Sequence, residues 1–197
     1  MKSYGTTWVM LHKIREALRQ RDEEYKLNNI IELDGGVFGR RHTGNQAEVL
    51  VAIESKEWVD KKGKKKSKAG FAKVLVAAET KKEAQAFVDK NIEKNAKLHT
   101  DGGPSLTNLK NVEVEHRVVG SDQAIVDHWL PWVHKFISNA KSWIVGTHHG
   151  IEARYLGQYL SEYTYRFNRR HDPDSLFFRA LGACVLASPK TSGTLFG

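Results

Sequence analysis

The sequence predicts an α/β fold in which a mixed sheet is flanked by helices. Three short runs rich in Val, Ile and Leu follow one another between residues 28 and 78, and a helical pattern comes directly after them. Two β-prone segments end in an aspartate followed by two glycines, at Asp34-Gly35-Gly36 and at Asp101-Gly102-Gly103. This motif is typical of a strand that delivers a carboxylate to the rim of a sheet and then turns.

The elements can be assigned in chain order. A first helix is predicted because apolar residues recur at helical spacing from Trp8 to Leu18. The predicted strands cover residues 28–33, 47–53 and 72–78, a helix covers 81–95, a short strand leads into Asp101, and a further strand covers 112–119. We expect the first three strands to be antiparallel neighbours.

Three antiparallel strands, a helix and a strand ending in Asp are the order of the ribonuclease H-like fold, in which the first and fourth strands meet at the centre of the sheet. Asp34 and Asp101 are then expected within about 8 Å of each other. Two adjacent carboxylates repel unless a proton or a metal lies between them, and Mg²⁺ prefers such ligands. For either aspartate alone, the alternative role is to cap a turn.

The charge of the chain indicates a polyanionic partner. Lys and Arg number 31 against 23 Asp and Glu, which gives a formal charge of +8 and a pI near 9.5. Nucleic acid is the commonest partner of such a protein. We find no apolar run long enough for a membrane span and no signal-peptide pattern, so we expect a cytoplasmic protein. The single cysteine, Cys184, excludes an intramolecular disulfide and a Cys₄ zinc site within this chain.

A cluster of lysines separates the second and third predicted strands, and we expect it to form a mobile basic tip. Its like charges oppose ordering, and phosphates are the partners that they would contact. The alternative is a solvated loop without a binding role. The cluster consists of Lys61, Lys62, Lys64, Lys65, Lys66 and Lys68.

The segment 121–149 is where we expect a third polar ligand. It opens with a plausible helix cap at Asp122, and its apolar stripe is broken once, at Pro131. His134 and Lys141 are seven residues apart, so both lie on one face of a helix. That face suits a site with a metal at one end and a DNA phosphate at the other. A surface or satisfied core histidine is the alternative, and Asn139 is the reserve ligand.

The last strong helical pattern covers residues 151–170. Tyr155, Tyr159, Tyr163 and Phe167 recur every four residues and are expected to form a core stripe. The basic residues Arg166, Arg169 and Arg170 lie at the end of this helix, where they could contact backbone phosphate.

Six blocks of this sequence resemble, in the same order, those of the ISXO-two-like bacterial insertion-sequence transposases, also called the fifteen-ninety-five family and related to the eukaryotic Merlin elements. The blocks are TTWVMLHKIR (6–15), ELDGGVFG (32–39), LHTDG (98–102), WVHKFISNAKSW (132–143), GTHHG (146–150) and YTYRFNRR (163–170). The resemblance implies a ribonuclease H-like catalytic domain with two Asp, a third Asn, Glu or His, and a Lys seven residues further on. These fall on Asp34, Asp101, His134 and Lys141. Gly35-Gly36 departs from the Glu-Thr or Glu-Ala pair of many relatives.

The resemblance also implies how the chain is organised. Relatives usually begin with a zinc ribbon and a helix-turn-helix, and residues 3–8 look like the start of the latter's recognition helix. We therefore expect residues 1–26 to be a remnant of the helix-turn-helix and linker, 27–172 to be the catalytic domain, and 173–197 to be a C-terminal helix and tail. On this interpretation the chain is a transposase without its amino-terminal DNA-reading module.

The activity that the resemblance implies is metal-dependent cleavage and strand transfer of DNA. Two Mg²⁺ or Mn²⁺ ions would be bound by Asp34 and Asp101, with His134 as a further ligand of the second ion and Lys141 on a phosphate. The expected partners are the element ends, the target DNA and further copies of the chain, in a bacterial cytoplasm and on the nucleoid when DNA is bound. Two alternatives remain open: an inactive DNA-binding remnant, and a structure-specific nuclease of the same fold.

Overall fold

The computed structural model describes residues 3–39, 44–117 and 129–196. Its contacts divide the chain into two compact units, one made of Met1–Tyr25 and Gly157–Gly197 and the other of Lys26–Leu156. The second unit contains the sheet and both aspartates. Among the described helices, none combines the length and apolar character needed to cross a membrane.

The described residues of the second unit form one five-stranded sheet. Its strands are β1 (Ile30–Phe38), β2 (Ala47–Val59), β3 (Lys65–Val76), β4 (Lys97–Thr100) and β5 (Glu113–His116), in the spatial order β3-β2-β1-β4-β5. The first three strands are antiparallel neighbours, and β1 pairs in parallel with β4. Both features agree with the predicted strand order.

Helix α2 (Lys81–Asn91) packs on one face of the sheet. The Thr80 side chain caps it by accepting a hydrogen bond from Glu83 N at 3.3 Å. Side chains alternate along β1, so Ile31 and Leu33 face the apolar cluster that includes Phe87 of α2. The even-numbered residues of β1 face the other way, towards the site.

Helix α3 (Pro131–His148) contacts β1 and β2 on that second face. It begins at Pro131, a favourable first helical residue because its missing N–H would have no partner within the helix. The predicted apolar stripe is confirmed over the described part of this segment: its buried members are Val133, Phe136, Ile137, Ala140 and Ile144. The predicted cap at Asp122 lies outside the described residues.

The β2–β3 connection differs from the predicted mobile tip. β2 extends to Val59 and β3 starts at Lys65, so the loop between them is only a tight turn. The Asp60 carboxylate organises this turn by accepting hydrogen bonds from Lys62 N at 2.8 Å and from Lys64 N at 3.0 Å. The expectation of an unordered loop was wrong because it counted like charges and omitted this local acceptor.

The other unit is helical. Its elements are α1 (Tyr4–Glu23), most of α4 (Ala153–Asn168), α5 (Leu176–Leu186) and the short α6 (Ser192–Phe196). Leu18, Tyr165 and Ala183 form its apolar cluster. The predicted aromatic stripe of α4 is displaced by one position, since the buried residues of this helix are Leu156, Leu160, Thr164 and Tyr165.

Candidate active site

A direct contact between β1 and α3 defines the candidate site. His134 Nε2 lies 2.8 Å from Asp34 Oδ2, and the two side chains are 26% and 16% exposed. The other Asp34 oxygen, Oδ1, accepts a hydrogen bond from Gly35 N at 2.8 Å. The structure therefore joins the first predicted aspartate to the predicted histidine in a half-buried setting.

Glu32 fixes the start of α3 beside this pair. Its Oε2 accepts hydrogen bonds from Trp132 N at 2.7 Å and from Val133 N at 3.0 Å, while Leu130, the residue at the N-cap, makes no side-chain cap. A carboxylate at this position satisfies two backbone N–H groups and complements the positive end of the helix dipole. Burial raises the pKa of Glu32 to about 7, although the two N–H donors lower it.

Sequence reasoning missed Glu32, which we had counted within the strand that leads to Asp34. The signal was present in the alternation of side chains along β1, since residues 32 and 34 face the same side. Glu32 is also only 1% exposed.

Close packing continues along α3 and β1 beyond the Asp34–His134 contact. A Cβ atom at Gly36 would lie 3.2 Å from Ile137 Cγ2 and 3.3 Å from its Cδ1, so glycine allows a close approach here. Further on, Lys141 Nζ is 5.4 Å from the centre of the Phe38 ring. The predicted two-turn spacing therefore brings Lys141, like His134, to the β1 side of the helix. The reserve ligand Asn139 is exposed on α3.

Asp101 lies one residue beyond β4. The last paired residues of β1 and β4 are Glu32 and His99, and Asp34 and Asp101 each follow two residues later. The two aspartates therefore lie on adjacent chain segments, each two residues beyond the last parallel pair. Asp101 is exposed, and its Oδ1 accepts a hydrogen bond from Gly103 N at 2.9 Å. This bond is the turn-capping contact that the sequence left open as an alternative.

A second carboxylate that we did not predict lies close to the Asp101 turn. The Glu79 carboxylate occupies the space that a Cβ at Gly35 would take, and its Oε1 accepts a hydrogen bond from Ser105 Oγ at 2.6 Å. Glu79 Oε1 is also 3.8 Å from the position of a Cβ at Gly103. Glu79 follows the end of β3, and no spacing or motif in the sequence marks it.

The predicted phosphate contacts fall into two groups. Lys61, Lys62 and Lys64 are exposed in the β2–β3 turn, and Lys66 and Lys68 are exposed on β3, where Lys66 Nζ lies 3.1 Å from Asp60 Oδ2. Lys65 belongs to β3 by its backbone, but its side chain is outside the described part of the chain.

The predicted arginines at the end of α4 differ from one another in their surroundings. Arg166 is exposed. Arg169 forms a nearly buried ion pair with Asp22 at 2.7 Å and lies over the Tyr165 ring, so its guanidinium is largely withdrawn from solvent. The guanidinium of Arg170 lies 4.0 Å from the centre of the Phe167 ring. Of these three residues, Arg166 therefore presents the exposed side chain to a phosphate.

The carboxylate oxygens at this site suit a hard cation, since they are the ligands that Mg²⁺ prefers. Within residues 3–39, 44–117 and 129–196, however, no three His, Cys, Asp or Glu side chains are grouped closely enough to hold a metal ion. The pair Asp34–His134, with Asp101 on the adjacent segment, is the grouping that comes nearest to the predicted set.

A five-stranded mixed sheet flanked by helices, with an aspartate–histidine contact between β1 and α3, is compatible with a DDE transposase domain. The model of the ISXO2-like transposase domain matches residues 22–168, well over half of the chain, and the protein belongs to this family of DDE transposases. The family assignment made from the sequence is thus confirmed. Neither a curated protein nor a solved structure matches the chain significantly.

Family membership gives the general class of activity. These transposases are polynucleotidyl transferases that act on DNA and normally use divalent metal ions.

Proposed function

We propose that this protein cleaves DNA at the ends of an insertion sequence and transfers the strand ends to target DNA. The observation that carries the proposal is the 2.8 Å contact between His134 Nε2 and Asp34 Oδ2, beside a parallel neighbour that leads into Asp101. Two polar residues 100 positions apart in the sequence are in direct contact, in a protein whose family acts on DNA.

We infer a ribonuclease H-like topology for the sheet. Three antiparallel strands, a helix and then a parallel strand placed beside the first support it, with the order β3-β2-β1-β4-β5. In this topology Asp34 of β1 and Asp101, which follows β4, would lie near each other at the centre of the sheet, which is the property that catalysis requires.

Asp34 and Asp101 would hold the metal, two Mg²⁺ or Mn²⁺ ions, with His134 as the third ligand. Bound there, the ions would activate a water or a 3′-hydroxyl and stabilise the leaving oxygen during an in-line displacement. A histidine is less natural than a carboxylate for Mg²⁺, so we assign the main affinity for the ions to the two aspartates.

The remaining residues bind and orient. Glu32 holds the first turn of α3, so that His134 reaches Asp34. Lys141, two turns further along α3, holds a DNA phosphate. The lysines of the β2–β3 turn and Arg166 contact DNA phosphates, where they add affinity without reading the bases. The active form is an oligomer of this chain on DNA.

Replacing either aspartate tests the proposal. Asp34→Asn and Asp101→Asn should each abolish cleavage of element-end DNA in Mg²⁺ or Mn²⁺, while DNA binding stays equal or becomes slightly stronger, because a negative charge near phosphate is removed. The control is Asp174→Asn, which makes the same chemical change at an exposed position between α4 and α5. Cleavage that survives in either site variant refutes the metal assignment.

The products separate the three candidate functions. Joined strands together with cleaved ones identify a transposase. Cleavage without joining identifies a nuclease of the same fold, and DNA binding without cleavage by the unmodified protein identifies an inactive remnant.

A further inference from the structure

The β2–β3 hairpin continues past the edge of β1. The last β2 residue paired with β1 is Glu54, whereas β2 and β3 stay paired as far as Val59 and Lys65. Residues 55–69, here called the ribbon, therefore project beyond the central sheet. The lysine turn described above is only the tip of this ribbon.

The pairing register gives the ribbon two different faces. Paired residues of an antiparallel ribbon point to the same side, and successive residues alternate. Lys56 is paired with Lys68, and Trp58 with Lys66, so these four side chains share one face. Phe71 extends this face, since the Lys56 Nζ atom lies 5.9 Å from the centre of its ring. We call it the Trp58 face.

The opposite face of the ribbon is attached to the domain. It carries Ser67, whose Oγ accepts a hydrogen bond from Trp132 Nε1 at 3.0 Å. Trp132 also donates its backbone N–H to Glu32, so the ribbon is anchored to the first turn of α3. Since the anchored face is turned towards α3, the Trp58 face is turned away from it and from the Asp34–His134 pair.

The Trp58 face combines aromatic rings with positive charge. Trp58 is 44% exposed and Phe71 is 37% exposed, and the side chains of Lys56 and Lys66 are each 50% exposed. The two lysines have carboxylate neighbours, Glu54 at 3.6 Å from Lys56 and Asp60 at 3.1 Å from Lys66. Both lysine side chains are half-exposed, so solvent screens these ion pairs and a DNA phosphate can compete for the ammonium groups.

Alternating rings and cations on one strand face fit single-stranded DNA. A duplex offers phosphates but keeps its bases stacked on each other, so an exposed indole gains little from it. Unpaired bases present their flat surfaces, and each base stacked on an aromatic side chain adds affinity without selecting sequence. A neighbouring lysine then contacts a phosphate of the same DNA strand.

We propose that the Trp58 face binds single-stranded DNA, with Trp58 as a stacking platform and Lys56, Lys66 and Lys68 on the phosphates. The proposal rests on the DNA-processing function proposed above and deepens it. Val51 is paired with Asp34, and Trp58 is seven residues further along β2, which corresponds to about 23 Å. The face is thus a separate DNA contact, outside the site of strand cleavage.

Binding of a labelled DNA strand and of its duplex, followed by fluorescence anisotropy at several salt concentrations, tests the proposal. Trp58→Ala should weaken binding of the single strand by about 5- to 150-fold, the range for losing one stacked base, and binding of the duplex by less than about twofold. The salt dependence should be unchanged, because no charge is removed. Trp58→Phe should retain most of the affinity.

The matched control is Val59→Ala, the next residue of the ribbon on its other face, which is 61% exposed. It should bind both probes like the unmodified protein. Equal losses on single strand and duplex, or no loss on either in Trp58→Ala, would overturn the proposal. So would a weaker self-association of Trp58→Ala in sedimentation, which would make the face an interface between copies, or tighter binding of an RNA strand than of the DNA strand.

Cleavage of element-end DNA by the unmodified protein and by Asp34→Asn separates this proposal from the proposed function. If the unmodified protein cleaves DNA in an Asp34-dependent way while Trp58→Ala binds the single strand normally, only the stacking proposal fails.

Discussion

Gly36 sets the distance between β1 and α3, and replacing it with alanine tests how the candidate site is assembled. The new Cβ would lie 3.2 Å from Ile137 Cγ2 and 3.3 Å from Ile137 Cδ1, both tighter than ordinary van der Waals contact. Overpacking in a core costs about 1–3 kcal/mol. The φ angle of Gly36 is outside the left-handed region, so alanine is otherwise compatible and recovers about 0.4–1 kcal/mol of chain entropy. We expect a net loss of about 1–2 kcal/mol of unfolding free energy.

A second substitution removes the obstruction. Ile137→Ala alone should cost about 2–5 kcal/mol, because Ile137 is only 7% exposed and leaves a cavity. In that background the methyl group added at position 36 has room and increases the buried apolar area, so Gly36→Ala should then stabilise by about 1 kcal/mol. The double-mutant cycle therefore predicts a coupling of about 2–3 kcal/mol between positions 36 and 137.

Urea denaturation of the four proteins measures this coupling, and cleavage of element-end DNA measures its effect on the site. The single variant Gly36→Ala should also cleave DNA more slowly, because the same shift of α3 moves His134 away from Asp34. Free energies that add within about 0.5 kcal/mol would mean that the two residues do not oppose each other. The idea that a glycine positions α3 at the site would then be wrong.

Two further predictions concern charge. Changing the six lysines from Lys61 to Lys68 to glutamine should weaken DNA binding equally for all sequences. The slope of log affinity against log salt concentration should fall by up to about 0.9 for each lost phosphate contact, whereas the same change at Lys81, Lys82 and Lys90 of α2 should leave binding and slope unchanged. An unchanged slope in the first variant would exclude the ribbon as a phosphate contact. His12 is fully buried, and burial, with a smaller effect of Arg15, lowers its pKa to about 4 from 6.5. Below pH 6.5 His12 is therefore protonated in the unfolded chain but stays neutral in the folded chain. Between pH 7 and pH 5 the unfolding free energy of the unmodified protein should fall by about 2 kcal/mol more than that of His12→Gln. His171→Gln, at an exposed position, should keep the full dependence, and equal pH profiles for the unmodified protein and His12→Gln would contradict the assignment.

The strand order and the position of Asp34 were predictable because each depends on short-range patterns. A β-prone run that leads into an aspartate marks the strand without any knowledge of neighbours. The predicted turn at Gly35-Gly36 was wrong, because β1 continues to Phe38 and stays paired with β2. The spacing of His134 and Lys141 was equally informative, since two helical turns place both residues on one face whatever the helix packs against. Whether these residues hold metal and phosphate remains a prediction.

The features that were missed depend on tertiary contacts. Glu32 caps α3 because the first turn of that helix packs against β1, where Trp132 N donates to the Glu32 carboxylate. The residues next to Glu32 in the sequence indicate only a strand. Arg169 was expected at a phosphate but is paired with Asp22, which is 147 residues away in the chain and unrelated to it by any motif. The sequence predicted a loop where β2 and β3 form the ribbon, because the prediction considered the repulsion between lysines and not Asp60, whose carboxylate orders the turn.

The pair Gly35-Gly36 affects the packing on both faces of β1. On one face, the absence of a side chain at Gly35 leaves the space that the Glu79 carboxylate occupies. On the other face, the absence of a side chain at Gly36 lets Ile137 pack against β1, so the turn of α3 that follows His134 lies close to the strand. A side chain at position 35 would displace Glu79 from Ser105, and one at position 36 would push α3 away from Asp34. Both glycines are thus requirements of the packing around the first aspartate.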